Sequence, residues 1–327
     1  MSRLTRLLTL ALVGLAALSS CREATLGSRA VLAVLPTGTN PFWQQMAAGI
    51  RAEAAADSTI RLDLKVGEAD TDARNQIAIL ETQLQSAEPA VLIVGPASST
   101  AIIPVIARYN TKQIPVIVVD SKLDSTELAR NNAHMDVFIG SRNQQGGELA
   151  AKRLMEALAS GRHRILLLGG SPEHQTALDR AAGFRTMAPK DWDLREVTAN
   201  WSRAEANRAT RAALTAGPLD GVFAANDEMA LGAVDALRSV QTSQAAWPVI
   251  IGFDATPDAI RAIQEGQMCA TIAQDPQGTG RMAIMAARQF LTGQRPGPQQ
   301  FIDVRLASDS LAACVKPQGP SGDGDHL

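Results

Sequence analysis

Aromatic residues are scarce in this chain: seven Phe, four Trp and one Tyr in 327 residues. Cysteine is scarcer, with three, and there are only four histidines. No Cys-x-x-Cys pair occurs, and His134, His163, His174 and His326 lack ligand-like spacing. That excludes the usual structural zinc patterns, and no metal or cofactor is expected. Net charge is −2, which leaves no electrostatic footprint for nucleic acid. Past the N-terminus no run is long and apolar enough to span a bilayer. Gly169-Gly170-Ser171 lacks the Lys-Ser/Thr ending and the dinucleotide spacing of phosphate loops, so it reads as a plain strand-to-helix turn. No nucleophile elbow or Ser-His-Asp order stands out, and Asp120, Asp124 and Glu127 have no second cue for catalysis.

What is present starts with a targeting segment. Arg3 and Arg6 precede an apolar run over 7–18, too short to cross a membrane, and then Ser19 and Ser20. Residues 1–20 are therefore expected to be a signal peptide. Leu18-Ser19-Ser20-Cys21 resembles a bacterial lipoprotein box, which would make Cys21 the lipidated first residue of the mature chain. The plainer alternative is an ordinary signal peptide and a chance cysteine. A lipid would tether a soluble domain rather than embed it. In an oxidising compartment Cys269 and Cys314 either pair or serve as two small buried residues.

The rest alternates strand and helix. Apolar runs at 31–35, 90–94, 115–119 and 137–139 and an alternating run at 62–66 read as strands, with helical spacing over 41–57 and 75–85. A second series follows, with strands at 165–168, 194–198, 221–224, 249–253 and 270–273. Helices are expected at 176–187, 203–216, 227–240, 257–264 and 278–291. Strand starts recurring every 20–30 residues indicate an α/β chain with two similar, doubly wound parallel-sheet lobes. Residues 21–29 read as a tether and 316–327 as a disordered tail rich in Gly, Pro, Ser and Asp.

Ligands of open α/β sheets sit beyond the carboxyl ends of strands. Four loops at such ends carry unusual chemistry: Asn40-Pro41-Phe42-Trp43, Trp201, Asn226-Asp227 and Phe253-Asp254. Four of the twelve aromatics are there. An aromatic ring covers the CH face of a sugar, while amides and carboxylates take its hydroxyls. The bland readings are core aromatics at strand ends and, for Asn226-Asp227, a helix cap. Asp227 is assigned to the cap and Asn226 to the ligand. Trp201, as a cleft aromatic, is expected outside the lobe core.

With the segments at 223–232 (FAANDEMALG), 252–258 (GFDATPD) and 270–274 (ATIAQ), the 40–43 loop resembles the periplasmic sugar-binding proteins of the ribose type, components of ABC importers. The resemblance covers 31–315. It implies two lobes joined by a three-crossover hinge: 30–140 with 275–301, and 141–274 with 302–315. It also implies a first-lobe wall of Asn40, Phe42 and Trp43, with Asp120 and Ser141 near the hinge. Trp201, Asn226, Phe253, Asp254 and Gln274 would form the second-lobe wall. Trp201 and a first-loop aromatic would sandwich the ring, and Asp120 and Asp254 would accept from hydroxyls.

Two positions depart from the family pattern. Ser121 follows Asp120 where ribose binders carry Arg, and Leu178 fills a second Arg slot, leaving Arg180 to a structural ion pair. Leu178 would offer an apolar surface to the ligand. Lys122, Arg142 or His174 could restore a cation.

The reading is a monomeric, lipid-anchored, exported receptor of the periplasm or cell envelope, non-enzymatic and working with an ABC permease. Its ligand would be a monosaccharide, a deoxy or amino sugar, or a polyol. The alternatives are a sensor that presents its closed form to a membrane kinase or chemoreceptor and, further off, a carbohydrate-active enzyme with paired carboxylates.

Overall fold

The runs VLIV at 91–94 and VIVV at 116–119 are apolar at every position, as strands covered on both faces require. In the computed structural model, which describes residues 29–86, 88–240, 243–244, 247–308 and 314, they lie inside a six-stranded sheet. Its strands are β1 (Arg29–Leu35), β2 (Ile60–Val66), β3 (Val91–Val94), β4 (Val116–Val119), β5 (Val137–Ser141) and β11 (Gln299–Ile302), in the order β11-β5-β4-β3-β1-β2. The second sheet holds β6 (Arg164–Gly169), β7 (Asp193–Thr198), β8 (Gly221–Ala224), β9 (Val249–Asp254), β10 (Ala270–Ala273) and β12 (Arg305–Ala307), in the order β12-β10-β9-β8-β6-β7. All pairings are parallel except β10 with β12. The two orders match strand for strand, so the lobes repeat one topology.

The strand period of two sorts each sheet's residues between two cores. In β1, Val31, Ala33 and Leu35 pack with helices α1 (Pro41–Ala55) and α10 (Pro276–Leu291), while Leu32 and Val34 face α2 (Ala73–Ser86) and α3 (Ile103–Thr111). In the second sheet, Ile165, Leu167, Ile251 and Phe253 face α5 (Asn143–Ala157) and α6 (Gln175–Met187). The opposite face packs on α7 (Arg203–Thr215), α8 (Asp227–Val240) and α9 (Pro257–Gln264).

The chain passes between the sheets three times: from β5 into α5, from β10 into α10, and from β11 to β12. α5 and α6 pack closely because each turns a glycine to the other's backbone. A Cβ on Gly147 would lie 2.0 Å from the Arg180 carbonyl oxygen, and one on Gly183 1.9 Å from that of Gln144.

The expected strands and helices appear within a few residues, and α3, α5, β11, β12 and α4 (Ser125–Arg130) are additions. A disulfide joins Cys269 to Cys314, with Cα atoms 4.9 Å apart. The expected signal peptide, Cys21 and the tail at 316–327 lie outside the described residues. Among the described residues, no helix is long and apolar enough to cross a membrane.

Candidate functional site

The carboxyl ends of both sheets face one narrow cavity of about 30 Å³. Asn40, Phe42, Trp43, Asp70, Pro96 and Asp120 line it from the first lobe. His174, Thr176, Arg180, Trp201, Asn226, Asp254 and Gln274 line it from the second. Most of them stand just past a strand end.

Asn40 caps α1: its Oδ1 accepts from the Phe42 N–H at 3.0 Å. The cap fixes the start of the helix, and Pro41 pre-sets its first turn. Phe42 and Trp43 then meet edge to face, 5.1 Å apart. The Trp43 Nε1–H donates to Asp70 Oδ1 at 2.6 Å, and Asn40 Nδ2 lies 3.4 Å from Oδ2. Burial raises the Asp70 pKa, and these two donors offset part of that. Asp120 sits at φ 66, a left-handed backbone that costs a non-glycine residue about 1 kcal/mol or more. No hydrogen bond to its carboxylate comes from the described residues. Burial pushes Asp120 up to about 6, Arg180 pulls it down and the Asp70 charge pushes it up further.

The second-lobe wall is a connected network. Arg180 donates from Nε to Asn143 Oδ1 (2.8 Å) and from Nη1 to the Ala225 carbonyl (2.5 Å). Its guanidinium carbon lies 3.7 Å from the centre of the Phe253 ring, and Nη1 lies 3.7 Å from Asp254 Oδ1. Gln274 Nε2 donates to the same Asp254 oxygen at 2.7 Å. Burial raises the Asp254 pKa well above the usual carboxylate range, with Arg180 the main opposing influence. Beneath it, Asp227 accepts from the Thr256 N–H and the Thr271 hydroxyl, both at 2.7 Å, and burial raises it to about 7.

Trp201 (φ 64) lies flat against the β6–α6 turn, where Gly170 leaves room: a Cβ there would sit 2.3 Å from the indole. Its Nε1–H donates to His174 Nδ1 at 2.7 Å. Nδ1 is thus the acceptor nitrogen of His174, and burial holds the ring below the ordinary histidine range, hence neutral at pH 7.

The lobes also touch directly. The Ser99 N–H donates to the Glu173 carbonyl at 2.8 Å. Ser99 Oγ accepts from Gln175 N–H (3.1 Å) and Ser121 Oγ from Thr176 N–H (3.4 Å). These are the first two amides of α6, which has no side-chain cap of its own. The first lobe supplies the cap of a second-lobe helix.

Eight of the ten expected ligand residues line the cavity: Asn40, Phe42, Trp43, Asp120, Trp201, Asn226, Asp254 and Gln274. Two do not. Phe253 is fully buried on the α5–α6 face of its strand, beneath Arg180, because neighbouring strand residues point to opposite faces. Ser141 lines a neighbouring cavity, and its carbonyl accepts from Asn143, the residue that holds Arg180.

Four further expectations are corrected. Leu178 is 47% exposed and away from the cavity, while Arg180 lines it. Asn226 is the cap of α8, accepting from Met229 N–H at 2.8 Å, and Asp227 is the buried anchor. Trp201 belongs to a lobe core as well as the cleft. Lys122 and Arg142 restore no cation: both stack on Phe301 in the neighbouring cavity, and Arg142 bonds Asp303. Asp70, Pro96, His174, Thr176 and Arg180 were absent from the expected ligand set. Position past a strand end was the usable signal for Asp70 and Pro96.

The model of the "Periplasmic binding protein domain" family matches residues 31–295. The ribose import binding protein RbsB of Haemophilus influenzae is 30% identical over 312 residues, covering 94% of this chain and all of that protein. The D-apiose import binding protein of Paraburkholderia graminis is 28% identical, over 85% of this chain and 87% of its own. Among solved structures, an ABC transporter periplasmic solute-binding protein from Actinobacillus succinogenes 130z with bound D-allose superposes with a TM-score of 0.78. It is 27% identical, over 86% of this chain and 97% of that one. The chain belongs to the periplasmic binding protein family. Within it, this is a sugar-binding protein of the ribose-binding type, the class that serves ABC importers.

Proposed function

We propose that the protein captures a monosaccharide or sugar-like polyol between its lobes and delivers it to an ABC permease without altering it. The reading rests on one observation above others: a cavity between the lobes with aromatics on both sides, Phe42 and Trp43 facing Trp201, and carboxylates, amides and one guanidinium between them. Stacking walls with charged acceptors suit a ring that is apolar on its faces and hydroxylated at its rim. The direct Ser99 and Ser121 bonds across the cleft fit a closed form, and hinge closure is the motion the three crossings permit. The sheet memberships support lobes of 30–140 with 275–301 and 141–274 with 302–315. No nucleophile–base pair marks the cavity for turnover.

The sequence further supports export and a lipid on Cys21, with the folded part acting as a monomer tethered in the periplasm or cell envelope. Loss of detergent partitioning in Cys21→Ser is the expected sign of the anchor, and unchanged partitioning would remove it.

The test of binding is tryptophan fluorescence against pentoses, hexoses, deoxy sugars, amino sugars and polyols, with scattering on any hit. Trp43 and Trp201 should report occupancy, and the radius of gyration should fall on binding. Silence across the panel would overturn the sugar reading.

A further inference from the structure

The charges of the cavity wall do not balance. On the second lobe Arg180 and Asp254 form a pair, and Gln274 takes part of the remaining acceptor capacity. On the first lobe Asp70 and Asp120 have no cation at ion-pair distance, and Asp120 feels Arg180 only through its field. Among the described residues neither makes a salt bridge. Asp70 has the Trp43 indole N–H and a long contact to Asn40, and the Asp120 carboxylate accepts no hydrogen bond from the described residues.

No side chain is free to correct this. Arg180 has its Nε on Asn143 and one Nη on Ala225, and what charge it offers is shared with Asp254. Lys122 and Arg142 are turned to Phe301 in the neighbouring cavity. His174 spends Nδ1 as an acceptor from Trp201, which leaves the ring neutral, so its Nε2–H, without a partner among the described residues, offers a donor but no charge. Ser121, beside Asp120, points its hydroxyl to the α6 amides. The first-lobe wall is therefore two carboxylates whose strongest missing partner is positive.

A neutral sugar brings hydroxyl donors but leaves both charges enclosed when the lobes shut. Enclosing an ion without a counter-ion costs several kcal/mol. An ammonium supplies three donors and cancels one charge, and bonds from a charged donor to a charged acceptor are about twice as strong as neutral ones. Resting on the sugar reading above, we propose that the ligand carries a protonated amine, as an amino sugar or amino polyol, held by Asp70 and Asp120 while its ring lies between Phe42 and Trp201. The electrostatics agree in direction: burial raises Asp120 to about 6, Arg180 offsets only part of that, and the Asp70 charge adds to it.

The experiment is calorimetry at pH 7 with D-glucosamine, D-galactosamine and D-mannosamine, each beside its parent hexose and its N-acetyl derivative. The parent removes the amine, and the N-acetyl form removes only its charge. At least one amine should bind tenfold or more tighter than both of its controls. Asp120→Asn and Asp70→Asn, which keep shape, should each lower the ratio of amine to parent-sugar affinity severalfold or more, whatever they do to the affinity for the parent itself. Parent sugars binding as tightly as their amines would overturn the inference and leave the sugar reading standing. An amine preference that survives both substitutions would overturn the assignment to these carboxylates. Silence with every neutral and amino sugar would remove both readings.

Discussion

The two lobes share a topology but bring unlike walls to the cleft. The second-lobe wall is mostly bonded within itself: Arg180, Asn143, Asp254, Gln274, Asn226 and Asp227 bond to one another or to nearby backbone, and His174 Nε2 is the exception, buried without a partner among the described residues. On the first-lobe wall, among the described residues, the Asp120 carboxylate has no hydrogen-bond donor and Asp70 no ion-pair partner. A satisfied network is rigid and sets a shape in advance. An unsatisfied one is costly when empty and gains most from a ligand. On the sugar reading proposed above, the second lobe offers a preformed shape and the first lobe offers charges that a ligand can meet.

The largest way to break that contrast is to remove the hub of the satisfied wall. Arg180→Ala leaves Asp254 and Asp227 without their cation, and breaking one partner of a buried pair costs about 3–5 kcal/mol. Urea denaturation should show a loss of that size, and a change under about 1 kcal/mol would mean that the network does not hold the lobe. The same change also removes the charge seated on Phe253. A smaller effect sharpens the comparison from the contact between the lobes. Ser99→Ala with Ser121→Ala removes the trans-lobe cap of α6, worth about 1 kcal/mol per cap. Global stability should barely move, because each lobe keeps its core. Affinity for any fluorescence-positive sugar should fall several-fold, since the closed form is what loses the bonds. Unchanged affinity would mean that the closed form does not depend on them.

Much of the fold was legible because strands such as VLIV and VIVV admit no other reading between Gly and Pro boundaries. Helix α5 was not, because Gly146-Gly147 near its start looks like a loop until Gly183 of α6 is seen against it. Strands β11 and β12 are partly exposed edges, with too little apolar pattern to mark them. At the site, the aromatic and amide loops were readable from position and composition. Asp70 was hidden in a polar stretch, 67–75, that carries no apolar period and acquires meaning only from its place past β2. Phe253 was over-read: a strand alternates, so Phe253 and Asp254 cannot both face the same space. Arg180 was under-read, because its role depends on Asn143, 37 residues away, on the neighbouring helix.

The contrast between the walls is tested most directly by urea denaturation of the ligand-free protein at pH 7, comparing Asp120→Asn with Asp254→Asn. Asp120 titrates near 6 when folded against 3.8 in the reference state, so the native state binds the proton more tightly and stability falls as pH rises through that interval. Removing the charge should therefore stabilise the fold at pH 7, by roughly 1–3 kcal/mol, with the gain shrinking toward pH 4. Burial raises Asp254 too, so its charge also costs stability, but Asp254→Asn takes from buried Arg180 its nearest counter-charge and should bring no net gain. A gain for Asp120→Asn with none for Asp254→Asn is the predicted result, and two changes of the same sign and similar size would contradict the account.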